Sequence, residues 1–317
     1  MSDELTGQNV YIAVLGGTGF VGQHLAQSWT SQQQPVKLRW LVHRSRPDWM
    51  RTVAHDIRDV NLDDARSLAS AIDGCTVLIN LLRPSGDGWL AATLARALPT
   101  ISSKVRALVH ASSIDVYGAA RDVTVTETTP PKPQTPYARE HLRVESLVAE
   151  AALSSFILRL GAVFGPGGRN LHAMADSVAR EADWKLAMRR TLSGKRRMHL
   201  VSVETVAEVL RLVARHHDGG GGEILLVTED QEADNNFAFV QERFADAFGR
   251  RIPDLGYLPP AVLRTVSQVR RRGSSNPFRR YSGERLAMKG FTPSEPLRVR
   301  IDRYASILAA PTASGRQ

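Results

Sequence analysis

The sequence predicts an α/β protein with a doubly wound parallel sheet and a smaller mixed α/β lobe in its last half. Three observations support this fold class. Short apolar stretches such as VYIAVL and FILRLGAV alternate with amphipathic helical stretches, which is the order of βαβ units. The near-continuous apolar run CTVLINLL is typical of a strand buried on both faces of a parallel sheet. A glycine-rich turn separates the first strand from the first helix.

The glycine-rich turn lies between the predicted strand 10–15 and a helix that runs through Thr30. Residues 17–22, GTGFVG, fit the spacing G-x-G-x-x-G, and the glycines at 16, 19 and 22 fit G-x-x-G-x-x-G. One glycine forms the tight turn, one lets a pyrophosphate approach the backbone, and one lets the helix pack closely on the strand. The pattern predicts a Rossmann-like dinucleotide site formed by Gly16, Thr18, Gly19, Phe20, Val21 and Gly22.

The end of the second predicted strand, 36–42, indicates which cofactor the site prefers. An NAD site usually has an acidic residue there, which accepts hydrogen bonds from the adenosine ribose. Here the strand is followed by HRSR at 43–46, with no carboxylate before Asp48. Because an arginine pairs well with a 2′-phosphate, we expect NADP(H) to be favoured over NAD(H), with His43 and Arg44 at the ribose. Arg46 is a further candidate, and simple exposed loop charges are the alternative interpretation.

Apolar runs and helical periodicity predict the remaining elements in chain order. We expect strands at Met50–Asp56, Cys75–Leu82, Arg106–Ser112, Phe156–Val163, His199–Val203 and Glu223–Val227, and helices at Asn61–Ile72 (with Asn61 as cap), Tyr137–Ala152 and Asn236–Phe248. The predicted division is a cofactor-binding domain at 1–168 and a substrate-binding lobe at 169–317, with Glu223–Val227 returning to the main sheet.

Composition restricts the function classes. The net charge of +9 comes from 41 basic and 32 acidic residues spread along the chain, which favours small anionic ligands over nucleic acid. The single Cys75 excludes an internal disulfide and a multi-cysteine metal site, and we expect no metal centre. The start of the chain lacks the pattern of a signal peptide, and apolar runs fall short of the roughly 20 residues of a membrane helix. A cytoplasmic protein without a membrane segment is expected.

Two stretches in the middle of the chain carry reactive side chains. Residues 110–118 read HASSIDVYG and follow a predicted strand, whereas 136–143 read PYAREHLR and open a predicted helix. An open α/β sheet places its ligand-binding groups at such strand ends and helix starts. Tyr137 begins the helix, and His141 lies one turn later on the same face.

These motifs together resemble the extended short-chain dehydrogenase/reductases, in the NAD-dependent epimerase/dehydratase group that acts on nucleotide sugars. The similar pieces occur in family order over residues 10–215: GGTGFVG, HDIRD, NLLR, SSIDVYG, PYAREH, RLGAVFGPGG and VETVAEVL. The tail from Tyr281, YSGERLAMKGFTP, is also similar to the closing segment of the family. The overall layout looks most like the dTDP-4-keto-6-deoxyhexose 4-ketoreductases.

The resemblance implies roles for the reactive residues. Tyr137 would be the general acid/base and Ser113 its hydrogen-bonding partner at the substrate oxygen. The cofactor would also contact Asp56, Ile57, Leu81 and Arg83, together with Tyr137 and His141. The family has a lysine at the position of His141, which lowers the pKa of the tyrosine and binds the nicotinamide ribose. Three outcomes remain open: weakened or acid-shifted catalysis, a proton relay through His141, or a cofactor-binding protein without catalysis.

The substrate side of the site is less defined by sequence. Related dehydratases carry an acid pair beside the serine, whereas this chain has Ile114 and Asp115 there, so only Asp115 is acidic. Relatives hold the substrate diphosphate with an arginine whose position falls at Met198, and Arg197 lies next to it. Arg270–Arg272 and Arg279–Arg280 are further candidates for phosphate contacts.

The resemblance favours an NADPH-dependent reductase of a keto group on a nucleotide-activated deoxysugar. One alternative is an epimerase that oxidises and re-reduces a sugar with tightly held NAD. Another is a non-catalytic NADP-binding regulatory protein, which the missing lysine suggests. The family commonly forms homodimers through helices that include the one carrying the tyrosine, and Leu142, Leu147 and Val148 are compatible with a dimer.

Overall fold

A computed structural model describes residues 10–30, 37–43, 46–53, 56–120, 122–151, 153–215, 221–259 and 276–310. The chain divides into two compact units, of residues 1–118, 131–160 and 206–225 and of residues 119–130, 161–205 and 226–317. The chain therefore passes between the units several times, whereas the sequence predicts one boundary after residue 168. Within the described residues, no helix is both long and apolar enough to span a membrane.

The elements follow the alternation expected from the sequence. The strands are β1 Tyr11–Leu15, β2 Lys37–Val42, β3 Asp56–Asp59, β4 Val77–Asn80, β5 Ala107–Ser113, β6 Thr124–Val125, β7 Ser154–Leu160, β8 Ala162–Phe164, β9 Leu200–Ser202, β10 Glu223–Val227 and β11 Arg280–Tyr281. The helices are α1 Phe20–Thr30, α2 Met50–Val53, α3 Ala65–Ile72, α4 Trp89–Lys104, α5 Pro136–Glu150, α6 His172–Arg180, α7 Asp183–Ser193, α8 Val203–Arg215, α9 Phe237–Ala247, α10 Glu284–Met288 and α11 Leu297–Ala309.

Seven strands form the main sheet, in the order β10-β7-β5-β4-β1-β2-β3. The pairings from β7 through β3 are parallel. The order reverses direction between β1 and β4, which is the point where open α/β sheets bind their ligands. The predicted doubly wound α/β fold is therefore confirmed.

The core of the first unit consists of apolar residues from the sheet and its helices. Leu15, Leu78 and Leu108 lie on neighbouring strands and are almost fully buried. Val144 and Val148 of α5 pack into the same cluster. Val148 is therefore a core residue, so its apolar side chain is not available to a dimer surface.

Two of the predicted elements near the start of the chain do not begin at the expected residues. Met50–Val53 is a helical turn rather than the start of a strand, because backbone bonds from Met50 to Pro47 and from Arg51 to Asp48 begin it. The third strand occupies Asp56–Asp59 instead.

The following helix also starts later than expected. It begins at Ala65, since the Asp64 side chain accepts a hydrogen bond from the Arg66 amide as its N-cap. Asn61 instead accepts from the Asp63 amide in the turn before it.

The predicted strand Phe156–Val163 is two strands. β7 ends at Leu160, and β8 begins at Ala162 and pairs with β9. Gly161 lies between them, and a Cβ at this position would overlap the His199 carbonyl oxygen. A close backbone approach therefore interrupts the apolar run, which periodicity alone does not reveal.

The second unit has its own core and two small sheets, β8-β9 and β6-β11. Phe164, Phe244 and Tyr304 are buried in this core, together with Leu186 and Ile301. The predicted helix at 236–248 is observed as α9, and Asn236 caps it through the Phe239 amide.

Candidate active site

The glycine turn connects β1 to α1 beside the end of β4. Gly16 has a φ of 77°, and a Cβ on it would lie 2.8 Å from the Leu81 carbonyl carbon. The Leu81 amide donates to the Leu15 carbonyl at 2.8 Å, which holds the two strand ends together. A Cβ on Gly22 would overlap the backbone of Gly17. Glycine is therefore required here for a tight turn and for close packing of α1 on that turn.

Gly19 differs from these crowded glycines because its environment is open. It is exposed, and a Cβ placed on it would come no closer than 3.6 Å to the Gly16 carbonyl oxygen. α1 begins at the next residue, and Thr18, Phe20 and Val21 are partly buried around this point. The space at the start of α1 therefore suits an anionic group such as a pyrophosphate.

The ends of β2 and β3 lie beside this turn. The exposed His43 donates through Nδ1 to the Val60 carbonyl at 3.0 Å. Arg46 pairs with Asp59 at 2.6 Å, and both side chains are exposed. Arg44 lies outside the described residues, so its contact with a 2′-phosphate stays a prediction.

Asp56 and Ile57 lie towards the amino-terminal ends of the parallel strands, whereas the glycine turn follows the carboxyl end of β1. They begin β3, and Asp56 is in register with Arg39 near the start of β2. The Asp56 carboxylate accepts hydrogen bonds from Arg39 at 2.8 Å and from Tyr11, the first residue of β1. Their expected cofactor contact is therefore corrected: DIRD is the whole of β3, so both residues stand at its start, and Asn61 comes after its other end.

Ser113 and Tyr137 are brought together as the sequence predicts. Ser113 is the last residue of β5, and its Oγ accepts from the Asp115 amide at 3.2 Å. Tyr137 is held at the start of α5, where Thr135 caps the helix through the Ala138 amide at 3.1 Å. The Ser113 side chain acts on the Tyr137 phenol and lowers its pKa, so the two residues are neighbours.

His141 lies under Tyr137 and is buried. The two rings meet edge to face at 4.6 Å, and only 3% of His141 is exposed. Neither of its ring nitrogens has a hydrogen-bond partner among the described residues. Burial lowers the pKa of His141 to about 4, and the nearby Arg83 charge adds to this effect. His141 is therefore neutral near pH 7.

A second buried histidine, His110, stands behind His141. Their ring centroids are 6.1 Å apart, and the His110 Nδ1 lies 3.1 Å from the side-chain nitrogen Nδ2 of Asn80. Burial lowers the pKa of His110 to about 3. The Asn80 Oδ1 in turn accepts from the Leu82 amide at 3.0 Å, which orders the loop that leaves β4.

Arg83 extends from that loop over the ring of Tyr137. Its Cζ lies 5.2 Å from the centroid of the Tyr137 ring. Burial raises the pKa of the Tyr137 phenol, and the charge of the exposed Asp115 adds to this. The Arg83 charge and the Arg83 and Ser113 side-chain hydrogen bonds oppose the shift.

A buried polar network joins β5, the following turn, α5 and β7. Glu145 accepts from Ser112 at 2.5 Å and pairs with Arg159 at 2.6 Å. Arg159 also donates to the Tyr117 hydroxyl at 2.6 Å. Both charged side chains are at most 4% exposed. Because Ser112 precedes Ser113 and α5 carries Tyr137, this network fixes the relative position of the two reactive hydroxyls.

Residues 12–227 match the sequence profile of the NAD dependent epimerase/dehydratase family, which is more than half of the chain. The chain belongs to this family. The family resemblance inferred from the motifs is thus confirmed. No curated protein matches the sequence.

Several solved structures share the fold of this family member at low sequence identity. The dTDP-glucose 4,6-dehydratase from Streptomyces venezuelae, with NAD bound, is 16% identical over 93% of this chain and 96% of that chain, with a TM-score of 0.68. RMD from Pseudomonas aeruginosa, complexed with NADPH, is 19% identical over 95% and 100%, with a TM-score of 0.65. A UDP-glucuronic acid 4-epimerase variant from Bacillus cereus, with NAD, is 14% identical over 94% and 99%, with a TM-score of 0.67.

The second unit contains a basic cavity of about 490 Å³. Its lining includes three cationic residues, Lys195, Arg197 and Arg280, and the aromatic residues Phe239, Tyr257 and Phe278. The buried Arg197 donates to the Glu232 carbonyl at 2.6 Å. Burial lowers the pKa of Arg197, and the charge of Arg280 acts in the same direction. A pair of neighbouring arginines beside aromatic rings has the chemistry to bind a nucleoside diphosphate. Arg270–Arg272 lies outside the described residues.

Sequence reasoning missed the residues that hold the reactive groups in place. Glu140, Glu145 and Arg159 belong to no motif that carries chemistry. Arg159 did give a signal, because a charged residue inside the apolar run FILRL requires a buried partner. Arg83 was expected near the cofactor, but its position over Tyr137 depends on a loop conformation that spacing does not specify.

Proposed function

We propose that this chain is an NADPH-dependent reductase of a keto group on a nucleotide-activated deoxysugar, with a dTDP-linked sugar as the favoured substrate. The observation that carries the proposal is the placement of Tyr137 at the start of α5 and of Ser113 at the end of β5, where the Ser113 side chain acts on the Tyr137 phenol and lowers its pKa. A positioned phenol beside a hydroxyl donor is suited to protonate a carbonyl oxygen. We place the activity in the cytoplasm, in agreement with a lone, buried free cysteine.

The residues of the first unit fit a nicotinamide dinucleotide. The open space at Gly19 and the start of α1 would hold its pyrophosphate. The unpartnered ring nitrogens of His141 would meet a ribose hydroxyl, which explains buried polar atoms that otherwise lack partners. Bound in its reduced form, the cofactor supplies a hydride. Arg44 and the absence of an acidic residue at the end of β2 support NADP(H) over NAD(H).

In this proposal Tyr137 donates its phenolic proton to the carbonyl oxygen of the substrate. Ser113 donates a hydrogen bond to the same oxygen and orients it. His141 holds the ribose and stays uncharged. The sugar carbon receives the hydride, and Tyr137 is left as a phenolate that must recover a proton from solvent.

The basic cavity of the second unit has the chemistry to bind a nucleoside diphosphate. Arg197 and Arg280 would pair with the diphosphate, and Phe239, Tyr257 or Phe278 would contact the base. The solved neighbours named above include enzymes of dTDP- and UDP-linked sugars. We favour a dTDP-linked substrate and a ketoreductase because the overall layout of the sequence looks most like that of the dTDP-4-keto-6-deoxyhexose 4-ketoreductases.

Reduction is favoured over elimination of water by the residues after Ser113. Ile114 is 7% exposed and apolar, so Asp115 is the one acid of the expected pair. A dehydratase needs a second acidic group to remove the leaving hydroxyl. An NAD-dependent epimerase or dehydratase is therefore the weaker alternative.

A non-catalytic NADP-binding protein is the second candidate, and the neutral, buried His141 favours it. Such a protein would bind NADPH but would turn over no keto sugar. Measuring NADPH binding and keto-sugar turnover on the same preparation therefore distinguishes it from a reductase.

The proposal is tested by binding and turnover on one preparation. NADPH and NADH are titrated first, and we expect NADPH to bind more tightly by about tenfold or more, as a single charge-assisted contact provides. NADPH oxidation is then followed with a dTDP-4-keto-6-deoxyhexose.

Variants assign the result to the site. Tyr137→Phe is expected to lower kcat by about 10²-fold or more with unchanged NADPH affinity, whereas Arg143→Gln, at an exposed position of α5, should behave as wild type. NADPH binding without turnover of any nucleotide-linked keto sugar would favour the regulatory protein. Preference for NADH would favour the epimerase.

A homodimer is part of the proposal. α4 presents an exposed face that includes Trp89, Ala92, Ala95 and Pro99, and Trp89 is 42% exposed. Leu142 and Leu147 of α5 are partly buried. A face of small and apolar residues on two packed helices is suited to pair with its own copy.

A further inference from the structure

The position of His141 leaves α5 without a positive charge under the catalytic tyrosine. When a phenol gives up its proton inside a protein, the phenolate is stabilised by a nearby cation. His141 is buried, and its ring nitrogens receive no hydrogen bond from the described residues. The cations of α5 closest in sequence, Arg139 and Arg143, are exposed and are not among the groups that shift the pKa of Tyr137. The Arg139 guanidinium donates a hydrogen bond to the Gln134 carbonyl at 2.9 Å.

The loop after β4 supplies the cation that α5 lacks. The Arg83 side chain is exposed, and its Cζ lies 5.2 Å from the Tyr137 ring centroid. At this distance a full positive charge favours the ionised form of a neighbouring group.

The loop is held against the start of α5 by defined contacts. Glu140 accepts from the Gly86 amide at 2.7 Å and from the Leu90 amide at 2.8 Å. Gly86 has a φ of 91°, and a Cβ on it would lie 2.9 Å from the Tyr137 amide nitrogen. Asn80 holds the other end of the loop through the Leu82 amide. The fold therefore holds the backbone of the loop that carries Arg83 in place on both sides of this residue.

The titratable groups around Tyr137 lie on three elements. Arg83 is positive and extends from the loop after β4, whereas Asp115 is negative and follows β5. His141, on the same helix as Tyr137, is neutral near pH 7. Arg83 is the positive group among those that act on the phenol.

We propose that Arg83 is the electrostatic partner of Tyr137, and that its guanidinium stabilises the phenolate that remains after proton transfer to the substrate. The reaction context rests on the proposed function: the Tyr137 O–H bond breaks, an O–H bond forms at the former carbonyl oxygen, and hydride from the reduced nicotinamide cofactor forms the new C–H bond. The proton count balances, since Tyr137 later regains a proton from water. Arg83 acts through Tyr137 and is a positioning residue.

The test measures the phenol directly and needs no substrate. 3,5-Difluorotyrosine is incorporated at position 137, because fluorination brings its titration into a range where the protein stays folded, and ¹⁹F NMR follows its ionisation. Arg83→Gln is expected to raise the pKa of this phenol by about 1 unit or more, and Arg83→Lys to keep it close to that of the unsubstituted protein. Arg139→Gln is the matched control on an exposed arginine of α5 and should have no effect.

A rescue variant separates charge from structure. His141→Lys in the Arg83→Gln background is expected to return the pKa of the phenol toward the starting value, because it restores a cation one turn below Tyr137. An unchanged pKa in Arg83→Gln, with an unchanged melting temperature, would overturn the proposal. Absence of turnover with every keto sugar would defeat the proposed function but would not alter this titration, so the two failures are distinguishable.

Discussion

Burial determines the chemistry of the two histidines at the residue scale. An unfolded histidine has a pKa of about 6.5, whereas burial lowers the pKa of His110 to about 3 and that of His141 to about 4. As pH falls below 6.5 the unfolded chain takes up protons that the folded chain does not. The contribution of these histidines to the free energy of unfolding is therefore fully present above about pH 6.5. It is lost as the pH falls through 6 toward 4.

This dependence can be measured by substitution. His141→Phe removes one titrating group, so its free energy of unfolding should fall less between pH 7.5 and pH 5 than that of wild type, by about 1–2 kcal/mol. Urea unfolding at several pH values gives the comparison. Arg143→Gln, at an exposed position of α5, removes no histidine and should retain the wild-type slope. Parallel curves for wild type and His141→Phe would show that His141 is protonated in the folded protein.

Single residues were predictable from sequence where a motif fixes both residue type and backbone position. Ser113 and Tyr137 stand at a strand end and a helix start, and the structure brings them together. Asp56 was misassigned, because HDIRD looks the same whether it begins or ends a strand. Strand pairing with Arg39 decides this, and pairing is a non-local property.

At the element scale, α5 is positioned by the charged pair that Glu145 forms with Arg159. Removing one partner of a buried pair leaves an uncompensated charge, which costs about 3–5 kcal/mol. Glu145→Ala should therefore lower the free energy of unfolding by about that amount, as measured by urea denaturation. Glu150→Ala, on the exposed surface at the end of α5, is the control and should change it by less than about 0.5 kcal/mol. A loss near 1 kcal/mol for Glu145→Ala would mean that water replaces the carboxylate.

Elements were predictable where the apolar pattern and a cap agreed. α9 follows this rule, because Asn236 caps a strongly apolar helix. The region from Met50 to Asp64 did not, since local backbone bonds and the Asp64 cap start the helices there. The break at Gly161 depends on a close approach to His199, which no local pattern reports.

At the scale of the whole molecule, the sequence determined the doubly wound architecture because seven strands alternate with helices. It did not determine the division into units. Residues 119–130 belong to the second unit although they lie between Ser113 and Tyr137 in the chain. Such a return of the chain is set by contacts between distant residues, for example the pairing of β6 with β11.

Self-association is the property of the whole molecule that the exposed face of α4 predicts. Ala92 and Ala95 are small, exposed and close to Trp89, so a second copy can approach this helix closely. We expect sedimentation of the wild type to give twice the chain mass of 34.8 kDa at micromolar concentration. Ala92→Arg places a charge in the centre of this face, and burying it without a partner would shift the protein to monomer.

The control for this experiment is the same substitution, alanine to arginine, on a different helix. Ala173→Arg adds an arginine at an exposed alanine of α6 and should leave the dimer intact. A monomeric wild type would contradict the proposed pairing. A dimer that survives both substitutions would place the interface on another surface. Because Tyr137 lies on α5, which packs against α4, loss of the dimer is also expected to lower kcat in Ala92→Arg but not in Ala173→Arg.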